Sequence, residues 1–184
     1  MKFLKEIFEW IVVVVASIVI YLVLSTYVIA PFTVKGHSMD YTFADNDKVF
    51  VNKLSKNYER GDEVVFHANE TDDYIKRVIG VPGDTIEYKD DVLYINGQKV
   101  DEPYLDVFKA KLKENQLLTG DFTLMGKTGE SKVPEGEYFV MGDNRSNSKD
   151  SRIFGFVHAD KIDGTAEFRI WPLTDFGFIK AREK

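Results

Sequence analysis

From Trp10 to Ala30 the sequence WIVVVVASIVIYLVLSTYVIA carries no charge over twenty-one residues, and its Ser and Thr hydroxyls number three. At about 1.5 Å per residue, a helix of that length covers roughly the 30 Å hydrocarbon core of a bilayer. The run predicts a membrane-spanning helix, so the rest of the chain has to fold beside lipid. A secretory signal peptide is the competing reading. Its apolar core is usually only about 7–15 residues, and the one small-residue site here, Val28-Ile29-Ala30, runs directly into Pro31. Lys2 and Lys5 lie before the run and Lys35 after it, a weak bias toward a cytoplasmic N-terminus. The expected organisation is a cytoplasmic stub and anchor over 1–30, crossing the cell membrane once, and an extracytoplasmic domain over 31–184.

That domain has ordinary globular chemistry. The chain is 44% apolar and 29% charged, which excludes a disordered tail. A net charge of -6 with no block of like charges argues against a nucleic-acid partner, which selects for a basic face. With no cysteine there is neither a disulfide framework nor thiolate chemistry, and no two of the three histidines stand at metal-ligand spacing. No metal site is expected.

Beyond residue 31 the periodicity is that of strands. Short β-branched or aromatic runs at 48–52, 63–67 and 74–79 follow Asp or Gly turns, and Val81-Pro82-Gly83-Asp84 reads as a turn. Residues 85–88 and 92–95 predict a hairpin, followed by Asn96-Gly97, a pair that accepts positive φ. Later strands are expected at 137–141, 153–157 and 165–171. Between 102 and 134 the pattern breaks. Residues 108–118 suggest a short amphipathic helix and 119–132 lack periodicity, so this stretch is read as an inserted loop or subdomain. The fold class is mostly β: an antiparallel body behind one apolar helix.

For chemistry, Ser38 in GHSMDYT has no obvious histidine partner. His37 is adjacent and, in extended backbone, points to the opposite face, and nothing points to His67 or His158 as its base. Lys76 is the better candidate. Alternation in DYIKRVI places it with Tyr74 and Val78, and Arg77 with Ile75 and Ile79. Bringing a lysine from about 10.4 to about 7 needs roughly 4.6 kcal/mol in favour of the neutral amine, which burial against apolar groups can supply. A neutral amine can then take a serine proton. By the ordinary reading, both residues are surface polar groups. A third polar segment, GDNRSNSKDSR at 142–152, holds Asp143, Arg145, Asp150 and Arg152, expected to pair with one another and brace a site.

In this order, the apolar anchor, GHSMDYTF, YIKRVIGVPGD and GDNRSNSKDSR resemble the type I signal peptidases of the Gram-positive kind over nearly the whole chain. The resemblance implies a membrane-bound serine endopeptidase that removes signal peptides through an acyl-enzyme, without a cofactor. Its fold would be the β catalytic domain shared in kind with self-cleaving Ser/Lys regulators. It implies secretory preproteins, the bilayer and the translocation machinery as partners. Carried over, Ser38 is the nucleophile, Lys76 the general base and Ser148 the hydroxyl that orients the lysine. The Ser38 backbone N–H, with Gly36 nearby, would serve the oxyanion, and Arg77, Asp143, Arg145, Asp150 and Arg152 would support the site. Phe32, Val34, Met39, Phe43, Tyr74 and Ile75 are the expected substrate-lining residues. Tyr41 departs from the Ser-Met-x-Pro-Thr pattern, and losing a fixed φ there is expected to loosen the turn after Ser38. A self-cleaving regulator would need a DNA-binding domain and no anchor, the reverse of this chain. A membrane-tethered homologue that binds preproteins without cutting is the non-enzymatic alternative.

Overall fold

The computed structural model describes residues 2–69 and 72–179; the Lys2 side chain, one of the flanking charges, lies outside the described residues. The chain runs through α1 (Lys2–Tyr27), β1 (Ile29–Thr33), β2 (Lys48–Asn52), β3 (Glu63–His67), β4 (Asp73–Gly80), β5 (Ile86–Lys89), β6 (Val92–Ile95) and β7 (Gln98–Val100). It continues through α2 (Asp106–Lys109), β8 (Phe122–Thr123), α3 (Leu124–Thr128), β9 (Glu137–Met141), α4 (Ser151–Phe154), β10 (Val157–His158), β11 (Ile162–Trp171) and β12 (Gly177–Phe178). Within α1, Lys5–Tyr27 is long and apolar enough to cross a membrane, and its most apolar stretch is not covered by the rest of the protein. The helix ends at Tyr27, three residues before the predicted boundary, and Ile29 and Ala30 already belong to β1. One wall of the site described below is therefore spliced almost directly onto the helix.

The main sheet is antiparallel, in the order β1-β2-β11-β3-β4-β9-β10, with β12 pairing on β11. Two apolar layers cover it. Val34, Met39, Phe43, Val49, Val51, Val65 and Ile75 pack on one face, and Val64, Phe66, Val78, Tyr138, Val140 and Ile162 on the other. Alternation along β4 sends Ile75 into the first layer and Val78 into the second, as a period of two requires. Among the described residues β1 pairs only with β2, so its other edge is open and Pro31 can sit there without removing a ladder bond. The pairing of β4 with β9 begins only at Arg77, which leaves the 73–76 edge free on that side.

The predicted hairpin and the region read as an insertion form one unit. β5, β6 and β7 join β8 in a second sheet, in the order β7-β6-β5-β8, so the excursion between β4 and β9 starts near residue 81. The predicted 108–118 helix is reduced to the single turn of α2, and 119–132 supplies β8 and α3, with Thr123 capping α3 by accepting from the Gly126 N–H. The expected strand at 153–157 is instead α4 followed by β10. Asp150 caps that helix by accepting from Arg152, and Gly155 at φ +82 ends it, a conformation glycine adopts without a Cβ clash.

Arg145 fastens the two sheets together. Only 3% exposed, it reaches from the segment after β9 to Glu102 Oε1 at 2.6 Å and Tyr88 OH at 2.5 Å, and it donates to the Gly142 carbonyl at 3.0 Å. Tyr88 and Tyr104 donate to the same Glu102 oxygen. Removing one partner of a buried pair strands the other charge. Glu102→Ala is expected to lower the unfolding free energy by about 3–5 kcal/mol, as measured by urea denaturation; a loss below about 1 kcal/mol would show that this joint is not structural.

Candidate active site

The Ser38 turn is pinned from below. Met39 and Phe43 are buried, and the Met39 carbonyl accepts from the Thr42 and Phe43 amides. Gly36 at φ +80 lets the chain turn into Ser38 and donates its amide to Asp45 at 2.7 Å. Tyr41 sits at φ +67, a region proline cannot reach and one uncommon for a bulky residue. The expected loosening is offset by contacts. The Tyr41 ring meets Phe108 edge to face at 4.6 Å, Lys111 lies over it, and the Lys111 amine donates to the Tyr41 hydroxyl.

Lys76 comes to this turn from β4. Its Nζ lies 2.6 Å from Ser38 Oγ and 3.0 Å from the Ile75 carbonyl, and the residue is 3% exposed. Burial pushes its pKa down to about 8, against the nearby Asp150 and Asp143 carboxylates, which favour the ammonium. Among the described residues the Ser38 amide has no acceptor, so it is free to donate to a ligand.

The 142–152 segment supports both residues, though not through the pairing expected. Asp150 pairs with Arg152, but Asp143 takes a bidentate bond from Arg77, at 2.9 and 2.7 Å, and Arg145 turns away to Glu102. Arg77 also reaches Glu63 at 2.8 Å and the Gly61 carbonyl at 2.6 Å, and Thr42 donates to Asp143 at 2.5 Å. Against the upward pull of its own burial, Arg152 holds the Asp150 carboxyl below its ordinary value. Asn144, absent from the expected site, ties the segments together: its amide N–H donates to the Ser38 carbonyl and its side chain to the His37 carbonyl, both at 3.0 Å. Only a contact 106 residues away in sequence reveals that role. Ser148 Oγ is buried, and its hydroxyl helps hold the Asp150 carboxyl low; the Lys76 amine bonds to Ser38 and Ile75, not to it.

The cleft is lined by Phe32, Lys35, Gly36, His37, Ser38, Asp73, Tyr74, Ile75, Lys76, Asn147 and Lys149. Of the expected lining residues, Phe32, Tyr74 and Ile75 are there. Val34, Met39 and Phe43 are not; all three lie in the apolar layer behind the cleft, because their side chains anchor the turn rather than face the opening. His67 and His158 bond to acidic neighbours away from Ser38, and His37 faces Asp40.

An antiparallel β body behind an apolar helix, with serine and lysine in contact in a cleft, defines a peptidase class. The family described as "Signal peptidase, peptidase S26" matches residues 7–171. The chain is 46% identical over 179 residues to the signal peptidase IB of Staphylococcus aureus (strain COL), covering 94% of this chain and 93% of that one. It is 51% identical over 158 residues to the signal peptidase I of Bacillus caldolyticus, covering 84% and 86%. A crystal structure of a signal peptidase I from Enterococcus faecalis V583 superposes with a TM-score of 0.57 at 45% identity, covering 59% of this chain and 96% of that one. The chain belongs to the signal peptidase family, peptidase S26, and is a peptidase of that kind.

Gly142 is fixed by close approach. A Cβ there would lie 2.3 Å from Ser148 Oγ and 2.5 Å from the Ser38 carbonyl oxygen, so an alanine must shift the Ser38 backbone relative to the 142–152 segment. Gly142→Ala is expected to lower peptidase kcat by about 100-fold, the scale of a 1 Å displacement, while circular dichroism stays unchanged. Activity within twofold of wild type would contradict this tight fit.

Proposed function

We propose that this protein cuts N-terminal signal peptides from exported preproteins, with Ser38 as nucleophile and Lys76 as general base. The observation that carries the reading is the 2.6 Å contact between a lysine amine almost out of water and a serine oxygen in an open cleft. With the amine at about 8, roughly one lysine in ten is neutral at pH 7, against about one in several thousand for an unperturbed lysine. The neutral amine takes the Ser38 proton, the alkoxide attacks the scissile carbonyl, and the ammonium returns the proton to the leaving amine. The chemistry needs no cofactor. Water then deacylates the enzyme, and the free Ser38 amide is in position to donate to the oxyanion.

The substrate would lie extended between the open edge of β1 and the unpaired 73–76 edge of β4, adding a strand to either side. The lipid side of the reading rests on α1 and on a row of outward side chains across the sheet. Pro31, Phe50, Phe168 and Phe178 are register neighbours on one face; Phe178 is 81% exposed, and Trp171 and Leu173 are exposed too. Large exposed apolar patches mark interaction surfaces, and this one starts from the strand that α1 feeds. A single-pass anchor with the β domain on the extracytoplasmic side, next to the translocation machinery, is the arrangement that fits preproteins as substrates.

Because the reactive form is the unprotonated amine, cleavage should increase as pH rises through about 8 and level off above it. Lys76→Ala is expected to cost about 10²–10⁴-fold at every pH. A rate that rises only near pH 10, or a Lys76→Ala variant that cuts a preprotein like wild type, would sink the lysine-base mechanism.

A further inference from the structure

A second cleft opens on the far side of Tyr74 from Ser38. Its open space of about 550 Å³ is lined by Phe66, Tyr74, Phe154 and Phe156, with Lys149 and Lys161 at the rim, and it shares Tyr74 and Lys149 with the active-site cleft. The floor is aromatic: Phe66 stands opposite Tyr74 across β3 and β4, with ring centroids 6.1 Å apart, and Phe154 lies 6.1 Å from Phe66. The rim is basic. Among the described residues neither Lys149 nor Lys161 has a carboxylate partner, whereas the nearby Asp73 and Asp163 are engaged by His67 at 2.5 and 3.4 Å. Two unpaired lysines around one concavity stand out in a chain of net charge -6.

The position of this cleft follows from the reaction. The acyl half of the substrate occupies the space between β1 and the 73–75 edge. The leaving amine takes its proton from Lys76 Nζ, so the leaving half starts beside that atom, on the face of β4 that carries Tyr74. The Tyr74 ring lies 5.0 Å from Nζ, and an extended chain advances about 3.3–3.6 Å per residue, so the first two or three released residues reach the second cleft. We propose that this cleft receives the start of the mature chain and selects acidic side chains there through Lys149 and Lys161. The inference rests on the peptidase reading above and assigns the specificity of that same site.

Exposed ion pairs of this kind change an equilibrium by about two- to five-fold each, and less as salt rises. The test uses the full-length protein in detergent and a preprotein series carrying Glu or Lys at each of three positions on either side of the cut. The kcat/KM ratio of Glu to Lys substrates is measured for wild type, Lys161→Glu and the Lys149→Glu/Lys161→Glu double variant; both lysines are exposed and unpaired, so reversal leaves the fold intact. The expected result is a wild-type ratio of about two- to five-fold per lysine at positions after the cut, shrinking with salt and inverted in the double variant. The same ratio in all three enzymes, or an effect confined to positions before the cut, would overturn the assignment. No cleavage of any substrate by wild type would remove the peptidase reading and this inference with it, whereas cleavage with an unchanged ratio removes the inference alone.

Discussion

A lysine amine held 2.6 Å from a serine oxygen, in a residue only 3% exposed, is the contact on which the rest of this structure depends. Burial disfavours the ammonium, and any uncompensated carboxylate nearby would restore it. Two carboxylates are close, Asp143 and Asp150, and both pull the lysine back toward its charged form. Each is already taken by a guanidinium, Asp143 by Arg77 and Asp150 by Arg152. Those ion pairs do more than brace the segment. They offset part of the pull of those carboxylates, while burial itself brings the Lys76 pKa down to about 8.

The fold delivers this balance through one strand. β4 carries Lys76 and Arg77 side by side, so alternation sends the amine toward Ser38 and the guanidinium toward Asp143 without any further element. The Asp143 carboxylate also takes the Thr42 hydroxyl, and Asn144 holds the His37 and Ser38 carbonyls. The Ser38 turn is thus clamped by the segment whose carboxylates lie beside the lysine. Arg145, from the same segment, ties it to Glu102 and the second sheet, so the excursion after β4 supports the site from behind while lying outside the cleft.

Much of this was legible in the sequence, because the strongest signals are local. The apolar run gave α1, and period-two alternation located β2, β3, β4, β9 and β11. It also put Lys76 on the face of Tyr74 and Val78. Pairing over distance was not legible. Glu102 and Asn144 look like ordinary surface polar residues until the fold brings them to Arg145 and Ser38. Residues 153–157 form an apolar, aromatic-rich run that reads as a strand, but Asp150 caps a helical turn there, a case of local hydrogen bonding overriding pattern. Met39 and Phe43 were expected in the cleft from the family resemblance. In a turn this tight, residues one and five positions along point into the core, and sequence adjacency says nothing about which side of the cleft they face.

The central claim concerns one proton, and it can be observed directly. Titration of the Lys76 side chain by NMR, with lysine labelled at the ε carbon and the resonance assigned by its loss in Lys76→Arg, reports its pKa in the intact protein. The structure predicts a transition near 8, well below the ordinary lysine value of about 10.4. A Lys76 resonance that titrates at the ordinary lysine value of about 10.4 would mean that the amine is solvated and charged at neutral pH, and the account of this site as a serine peptidase driven by a dry lysine would fail.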